Sequence, residues 1–259
     1  MAETTGKTGA AGEAGSAGKA GAAGAPAPRI RMQILYRDDG LIAVDKPVGL
    51  IVHGDGTGKR TLADELRDLL LSEGAEREAA ELQPLQRLDR ETSGIVLFST
   101  CKQTQPAFDR LIAERGLEKR YLAIVRGRFP AGIQTYDAPL GRDRHDARRM
   151  RVSRSGKSAL TKARRLDFAP ADDRGPARSL LEVGILTGRK HQIRVHLSNA
   201  GYPVMGDELY GRPSPRERDL GLMLHASEEA FEHPVTGERV HIESPVPARF
   251  KGLFPEIGC

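Results

Sequence analysis

An aspartate flanked by arginines is the residue of this chain best suited to chemistry. Asp89 stands between Arg87 and Arg90, and the turn residues Ser93 and Gly94 follow it. A neighbouring guanidinium favours the ionised carboxylate, so Asp89 would be available as a nucleophile or a general base. A salt-bridged loop before a strand explains the same residues more simply, because ion pairs also occur without catalysis. Local composition leaves both interpretations open.

A second cluster of basic and imidazole side chains occupies residues 189–196, with the sequence Arg-Lys-His-Gln-Ile-Arg-Val-His. We predict a strand over Gln192–His196, in which Gln192, Arg194 and His196 share one face. A strand face that carries arginine is exposed to solvent or lines a site. His191 and His196 would point to opposite faces of that strand, and no cysteine or carboxylate joins them, so we predict no metal site.

A third cluster is an arginine-rich segment that runs from residue 142 to residue 157. This segment has only two acidic residues, Asp143 and Asp146, against seven basic ones. The basic residues are Arg142, Arg144, Arg148, Arg149, Arg151, Arg154 and Lys157. Clustered arginines in a loop with glycine and serine are typical of phosphate contacts. A solvated basic loop is the alternative.

Several other reaction classes lack the residues that they need. Ser93 is not in a Gly-x-Ser-x-Gly context, and Cys101 has no recognisable Cys-His signature. Asp89 and Glu91 lie beside strong cations, which leaves no clear general acid for a glycosidase. The glycine-rich stretch 54–59 has Arg60 where a phosphate-binding loop needs serine or threonine. These observations disfavour a hydrolase or a nucleotide cofactor.

Composition limits the class of protein further. The chain has 259 residues and a formal charge of +5, from 40 Lys and Arg against 35 Asp and Glu. No run reaches the roughly 18 apolar residues that cross a bilayer, and two cysteines cannot build a disulfide framework, so we expect a reducing, cytoplasmic location. Aromatic residues are 5% and tryptophan is absent, which argues against an extended base-stacking platform.

The elements that must position these clusters are short strands and a few helices. Residues 1–28 are rich in Gly and Ala and predict a disordered tail, so the folded domain is 29–259. Apolar patterns predict strands at 34–36, 41–44, 95–98, 121–125, 160–166 and 179–186, and helices from Thr61 and over 104–115. Because strands and helices do not alternate regularly, the predicted fold class is α+β.

Taken together, these segments resemble the RluA-type family of RNA pseudouridine synthases from about Ile34 to Phe254. The segments that carry the resemblance are Asp45–Pro47, Gly49–His53, Arg87–Gly94, Glu118–Ala123, Lys157–Thr161, Gly188–His196, Pro203–Asp207 and Leu222–Ala226. Each match is short, and their order over some 200 residues is what makes the resemblance specific. It implies a mixed, mainly antiparallel bent sheet flanked by helices and loops.

The resemblance also implies an activity and the residues that perform it. Members of the family isomerise uridine in RNA without a metal or a cofactor. The resemblance implies that Asp89 is the essential carboxylate, that Arg194 is its partner and that Tyr121 lies against the uracil ring. Whether Asp89 attacks C1′ or removes a proton from C2′ stays open. The residues expected to contact RNA are Arg87, Arg90, Lys119, Arg120, Arg148, Arg149, Lys157, Arg189 and His191.

One position departs from the family pattern, since Gln86 stands where the family usually has histidine. Glutamine keeps hydrogen-bonding capacity but cannot titrate. Residues 1–28 cannot form the small RNA-binding S4 domain of many relatives, so we expect the subgroup without it. We expect a monomer whose partner is ribosomal or transfer RNA, and the alternative function is a non-catalytic RNA-binding protein with a synthase fold.

Overall fold

A computed structural model describes residues 32–54, 56 and 58–257 of the chain. The strands in this part are β1 Gln33–Arg37, β2 Leu41–Lys46, β3 Gln83–Pro84, β4 Ser93–Ser99, β5 Glu118–Arg126, β6 Ile133–Asp137, β7 Leu140–Arg142, β8 Met150–Val152, β9 Leu160–Ala169, β10 Arg178–Ile185, β11 Leu224–Glu232 and β12 Arg239–Glu243. The helices are α1 Leu62–Ser72, α2 Glu76–Glu81, α3 Gln105–Ala113, α4 Gln192–Asn199, α5 Pro215–Leu220 and α6 Ala248–Lys251. The tail predicted at residues 1–28 lies outside the described residues, so both its disorder and the domain boundary stay predictions.

Ten of the described strands form one sheet. Their order is β1-β2-β4-β11-β5-β10-β9-β6, with β3 beside β4 and β12 beside β11. All pairs are antiparallel except β4 with β11, which is parallel. Strands β7 and β8 form a separate hairpin that contains the arginine-rich turn. This mainly antiparallel sheet with few helices confirms the predicted α+β class. Of the described helices, none is long and apolar enough to span a bilayer.

The first helix begins where the sequence predicts it. The Thr61 hydroxyl accepts a hydrogen bond from the backbone N–H of Asp64 at 3.1 Å, and the Asp64 carboxylate accepts one from the Thr61 N–H at 3.0 Å. This reciprocal capping box satisfies two backbone donors that a helix start would otherwise leave unpaired. The buried side chains Leu62, Leu66 and Leu70 form one apolar face of α1, and this face packs against the sheet.

Strand β4 is buried on both faces, which explains its continuous apolar sequence. Val96 and Phe98 pack in the same apolar cluster as the leucines of α1. Ile95 and Leu97 point the other way and pack with Phe108 of α3. Burying both faces of a central strand removes a large apolar area from water, and this burial holds the loop before β4 in place.

A third apolar cluster lies against β5, β10 and β11 and includes residues of α4 and α6. In the register of the sheet, Ala226 of β11 is opposite both Gly94 of β4 and Tyr121 of β5. Only one strand therefore separates the start of β4 from Tyr121. Gly94 has φ 111°, and a Cβ at this position would overlap the backbone carbonyl of Ala226. Glycine is required for this close approach of the two backbones.

The strand predicted over Gln192–His196 is wrong, because these residues begin helix α4. The alternation of polar and apolar residues suggested a half-exposed strand, yet all residues from Gln192 to Leu197 are buried. The polar side chains are buried because they have partners. Gln192 binds the carbonyl of Leu160, and His196 binds that of Ala138. When polar residues are satisfied inside the protein, their spacing no longer marks a solvent-exposed face.

Candidate active site

A cleft of about 1240 Å³ opens beside the start of β4 and the first half of β5. The loop between β3 and β4, strand β5, the segment from the end of β10 into α4, and the segment 206–224 supply most of its lining. Eight of the residues predicted from the sequence line it, namely Arg87, Asp89, Arg90, Lys119, Tyr121, Arg189, His191 and Arg194. The structure therefore brings Asp89, Tyr121 and Arg194 to one cavity.

Asp89 lies in the loop between β3 and β4, where its carbonyl accepts a hydrogen bond from Thr92 N–H at 3.1 Å. This turn leads into β4 and directs the Asp89 side chain into the cleft, where it is 24% exposed. Arg194 Nη1 donates to Asp89 Oδ2 at 3.0 Å. The carboxylate is thus paired with a cation on one side and open to the cleft on the other.

Arg194 holds two carboxylates with one guanidinium. Its Nε and Nη2 donate to the two oxygens of Asp207 at 2.7 and 2.8 Å, and its Nη1 remains for Asp89. Burial opposes the charge of Arg194, but the hydrogen bonds and charges of Asp207 and Asp89 outweigh it and raise the pKa of the guanidinium. The bidentate pair with Asp207 fixes the plane of the fork and so the direction of the third donor.

His191 faces the other oxygen of Asp89, with 3.8 Å between His191 Nε2 and Asp89 Oδ1. The residue has φ 54°, a left-handed conformation that is uncommon outside glycine. Burial lowers the pKa of His191, and the nearby Asp89 only partly opposes this effect. Within the described residues, no group of three or more His, Cys, Asp or Glu side chains is arranged to hold a metal ion.

Tyr121 forms part of the cleft wall from the middle of β5 and is 6% exposed. Its backbone is fixed on both sides, opposite Val183 of β10 and Ala226 of β11. Burial, with smaller effects from the charges of Glu229 and Asp89, raises the pKa of the Tyr121 phenol far above its ordinary value. The phenol therefore keeps its proton at neutral pH.

Gln86 connects two ionisable groups beside Tyr121. Its amide Nε2 donates to both oxygens of Glu229, at 2.7 and 2.8 Å, and its Oε1 accepts a hydrogen bond from Lys119 Nζ. Burial raises the pKa of Glu229 to about 7, against the opposing effects of Lys119 and Gln86. Burial also lowers the pKa of Lys119. The glutamine thus bridges an amine and a carboxylate without carrying charge itself.

A fully buried lysine anchors the backbone next to Asp89. Lys46 Nζ donates to the carbonyls of Pro47, Leu50 and Arg90 at 2.8, 2.7 and 3.0 Å. Burial lowers the pKa of this amine to about 8, although the charges of Glu91 and Asp89 favour its protonated form. Because Arg90 follows Asp89 directly, these bonds restrain the loop that presents the carboxylate.

Comparison with known proteins connects this arrangement with an activity. Residues 40–199 match the RNA pseudouridylate synthase family. The RNA pseudouridine synthase YhcT of Bacillus subtilis is 33% identical over 223 residues, covering 86% of this chain and 71% of the relative. The chain belongs to the RNA pseudouridylate synthase family. It is accordingly an isomerase that acts on RNA.

Other members of the family support the assignment. The ribosomal large subunit pseudouridine synthase C of Escherichia coli is 35% identical over 233 residues, covering 86% of this chain and 69% of the relative. The solved structure of human RNA pseudouridylate synthase domain containing 1 superposes with a TM-score of 0.70 at 28% identity, covering 86% of each chain. The resemblance to RluA-type synthases and the fold that it implies are confirmed.

Three arginines predicted to contact RNA are at the cleft. Arg87 and Arg90 are exposed in the Asp89 loop, and Arg90 Nε donates to the Gly49 carbonyl at 3.1 Å. Arg189 is half-buried and donates to the Ser158 carbonyl at 3.0 Å. These arginines place positive charge around the Asp89 carboxylate of the synthase. Their contacts with RNA stay a prediction.

Four other predicted RNA contacts are not part of the cleft lining. Arg120 is exposed on β5 and pairs with Glu228. Arg148 pairs with Asp146 at 2.8 Å in the turn between β7 and β8. Arg149 lies over the ring of Tyr210, and Lys157 is exposed beside β7. The arginine-rich hairpin is therefore a separate basic surface of the synthase.

Sequence reasoning missed four residues that support the site. Asp207 and Tyr210 hold Arg194 and His191, Glu229 holds Gln86, and Lys46 holds the backbone at Arg90. Asp207 and Lys46 lie inside segments that carry the family resemblance, which is a signal that could have identified them. Glu229 has no such signal, because it follows another glutamate in β11 and differs from it only in burial.

Proposed function

We propose that this synthase converts specific uridines of structured RNA to pseudouridine with Asp89 as its essential carboxylate. The observation that carries the proposal is the ion pair of Asp89 with Arg194 inside the cleft. Convergence of a paired carboxylate, a buried phenol and cations in one cavity is what an active site requires. Asp89, Tyr121 and Arg194 are therefore our candidates for the catalytic residues.

The reaction is an exchange of one glycosidic bond for another. The bond between C1′ and N1 of uracil breaks, the base rotates, and a bond between C1′ and C5 forms. The proton on C5 is lost, and N1 gains one, so the product is an isomer of the substrate. Neither an electron acceptor nor a nucleotide enters this balance, and we propose that the enzyme needs no cofactor.

Asp89 serves either route by which the bond exchange can begin. As a nucleophile it would attack C1′, and as a base it would take the proton from C2′. Both routes need a carboxylate held at the sugar, and the hydrogen bond from Arg194 at 3.0 Å orients it there. Arg194 is in turn fixed by its two bonds to Asp207, so the carboxylate is oriented before RNA binds.

Tyr121 is suited to act on the base rather than the sugar. Its ring can pack against uracil, and its phenol keeps a proton at neutral pH because burial raises its pKa. We propose that it holds the rotating base.

The target nucleotide must leave its stack to reach Asp89. Unstacking a base costs a few kcal/mol, and contacts with the phosphates around the cleft offset this cost. We propose that Arg87 fills the space that the flipped nucleotide leaves, or binds its phosphate. Arg90, Arg189, His191 and Lys119 would contact the RNA nearby. Arg120, Arg148, Arg149 and Lys157 would contact the RNA outside the cleft, on the hairpin and the outer part of β5.

The names of several relatives refer to the large ribosomal subunit, and we propose large-subunit ribosomal RNA as the first substrate to test, with transfer RNA second. A cytoplasmic, monomeric enzyme would meet either RNA. The curated relatives are longer than this chain, which spans roughly two thirds of their length.

The test is to delete the gene and map pseudouridines across ribosomal and transfer RNA. We expect one or a few sites to be lost, restored by the wild-type gene but not by Asp89→Asn or Asp89→Ala. RNA affinity should stay near that of the wild type in both variants. An unchanged map would overturn the proposal and favour a non-catalytic RNA-binding protein, and release of uracil or strand cleavage would indicate a glycosylase or a nuclease.

A further inference from the structure

The hydroxyl of Tyr210 lies between the arginine-rich hairpin and the cleft. The backbone N–H of Met150 in β8 donates to the Tyr210 oxygen at 2.8 Å. His191 Nδ1 is also 2.8 Å from that oxygen. Tyr210 thus joins a strand outside the cleft to an imidazole that faces Asp89.

The two contacts favour one arrangement of the protons. Because Met150 already donates to the Tyr210 oxygen, we assign the hydroxyl proton to the bond with His191 Nδ1. A neutral imidazole that accepts at Nδ1 carries its proton on Nε2. Burial, Arg194 and Lys190 all lower the pKa of His191, and they outweigh the opposing charge of Asp89, so the neutral form is the relevant one.

The protonated nitrogen then faces the carboxylate. His191 Nε2 is 3.8 Å from Asp89 Oδ1, whereas Arg194 binds the other oxygen, Oδ2, at 3.0 Å. Hydrogen bonds at active sites are often longer before the substrate binds and tighten in the complex. A small movement would therefore give each oxygen of Asp89 its own donor.

The ring of Tyr210 is itself held firmly. The guanidinium carbons of Arg149 and Arg194 lie 5.1 and 5.3 Å from its centroid. These contacts depend on the ring and not on the hydroxyl. Removing only the hydroxyl should therefore leave the position of the ring largely intact and release the imidazole alone.

We propose that His191, with its proton held on Nε2 by Tyr210, is a positioning residue that orients the second oxygen of Asp89. The proposal rests on the proposed function, in which Asp89 acts on the sugar. The hydroxyl of Tyr210 acts through His191. The left-handed backbone at His191 supports the assignment, because a positive φ costs energy in a residue other than glycine. Such strained residues cluster at functional sites, where the surrounding structure holds them in place.

The first measurement concerns the free protein and needs no RNA. Ring ¹⁵N chemical shifts of histidine-labelled protein should show His191 with an unprotonated Nδ1 and a protonated Nε2. In Tyr210→Phe the two tautomers should mix. A proton on Nδ1 in the wild type would overturn the proposal whatever the activity of the protein.

The second measurement is pseudouridine formation in RNA extracted from the deletion strain. We expect Tyr210→Phe to lower kcat about tenfold and His191→Leu about thirtyfold, with KM changed less than about twofold. His191→Gln should keep activity within about fivefold of the wild type, because its terminal amide can donate from near the place of Nε2. Leucine and glutamine meet the same backbone strain at position 191, so strain cancels between these two variants.

The control is Tyr202→Phe, which removes a hydroxyl from a tyrosine packed on Phe129, away from the cleft lining. It should leave kcat unchanged. Equal loss in His191→Gln and His191→Leu, or full activity in Tyr210→Phe, would overturn the positioning role while the wild-type enzyme remained active. Absence of pseudouridine in the wild-type reaction would instead overturn the proposed function.

Discussion

Arg194 donates to Asp89 at 3.0 Å although 105 residues separate them in the chain. The same guanidinium donates twice to Asp207, so its position does not depend on Asp89. A carboxylate that meets a guanidinium already fixed by another partner loses little freedom when it pairs. The relationship explains how a loop residue can present a charged side chain in a defined orientation.

Replacement of Arg194 by lysine should therefore cost activity even though the charge remains. An ammonium group cannot hold both oxygens of Asp207 and also reach Asp89 in a planar fork. We expect Arg194→Lys to lower kcat about 100-fold with little change in RNA affinity. The control is Arg164→Lys, because Arg164 of β9 makes an exposed ion pair with Glu182 of β10. A kcat for Arg194→Lys within a few fold of the wild type would show that the fork geometry is dispensable.

The basic hairpin makes a separate prediction about RNA binding. Arg148 is 77% exposed on its side chain and donates to Asp146 through Nε and Nη2, which leaves Nη1 to meet a phosphate. Charge reversal in Arg148→Glu should reduce the slope of log affinity against log salt by about 1. Arg149→Glu should reduce it too, but this variant also disturbs Tyr210. Binding isotherms at several salt concentrations measure the slope.

The comparison for the hairpin is Arg77→Glu on α2, which removes an exposed cation outside the cleft lining and the hairpin. Its slope should equal that of the wild type. If Arg148→Glu and Arg77→Glu give the same slope as the wild type, the hairpin does not contact phosphates.

Substitution of Gly94 should be severe although it removes no side-chain contact. A Cβ there would overlap the Ala226 carbonyl across the parallel pair β4–β11, and the backbone has φ 111°. We expect Gly94→Ala to lower the free energy of unfolding by more than about 3 kcal/mol. Gly132→Ala is the matched control, because φ is 77° and nothing lies within 4 Å of its added Cβ. It should cost about 1 kcal/mol in urea unfolding, and equal losses would contradict the steric argument.

The sequence predicted the parts of the fold whose signals are local. The capping box at Thr61 and the buried run of β4 follow from neighbouring residues, and the structure confirms both. The start of α4 was predicted as a strand because alternation of polar and apolar residues is ambiguous when every side chain is buried. Only tertiary partners, such as the Ala138 carbonyl for His196, distinguish the two cases.

The candidate site was predictable to the extent that each residue sits in a contiguous pattern. Asp89, Tyr121 and Arg194 come from three such patterns, and the family resemblance joined them. Their supporting residues could not be found in this way. Glu228 and Glu229 are adjacent and chemically identical, yet one pairs with Arg120 at the surface and the other is buried against Gln86. Burial depends on the side of β11 that each one occupies, which composition does not reveal.

Glu229 should make the stability of the protein depend on pH. Burial raises its pKa from 4.5 to about 7 in the folded state. Between pH 4.5 and 7 the unfolded chain has lost this proton while the folded chain still binds it, so the free energy of unfolding falls as pH rises. The loss is complete above pH 7 and is on the order of 3 kcal/mol.

Glu229→Gln cannot titrate and should gain stability relative to the wild type across this window, as measured by urea unfolding at each pH. The surface variant Glu243→Gln, which removes a carboxylate that is 73% exposed, is the comparison. A stability difference between Glu229→Gln and wild type that stays constant from pH 4.5 to 7 would mean that Glu229 is already ionised in the fold, held so by Lys119 and Gln86.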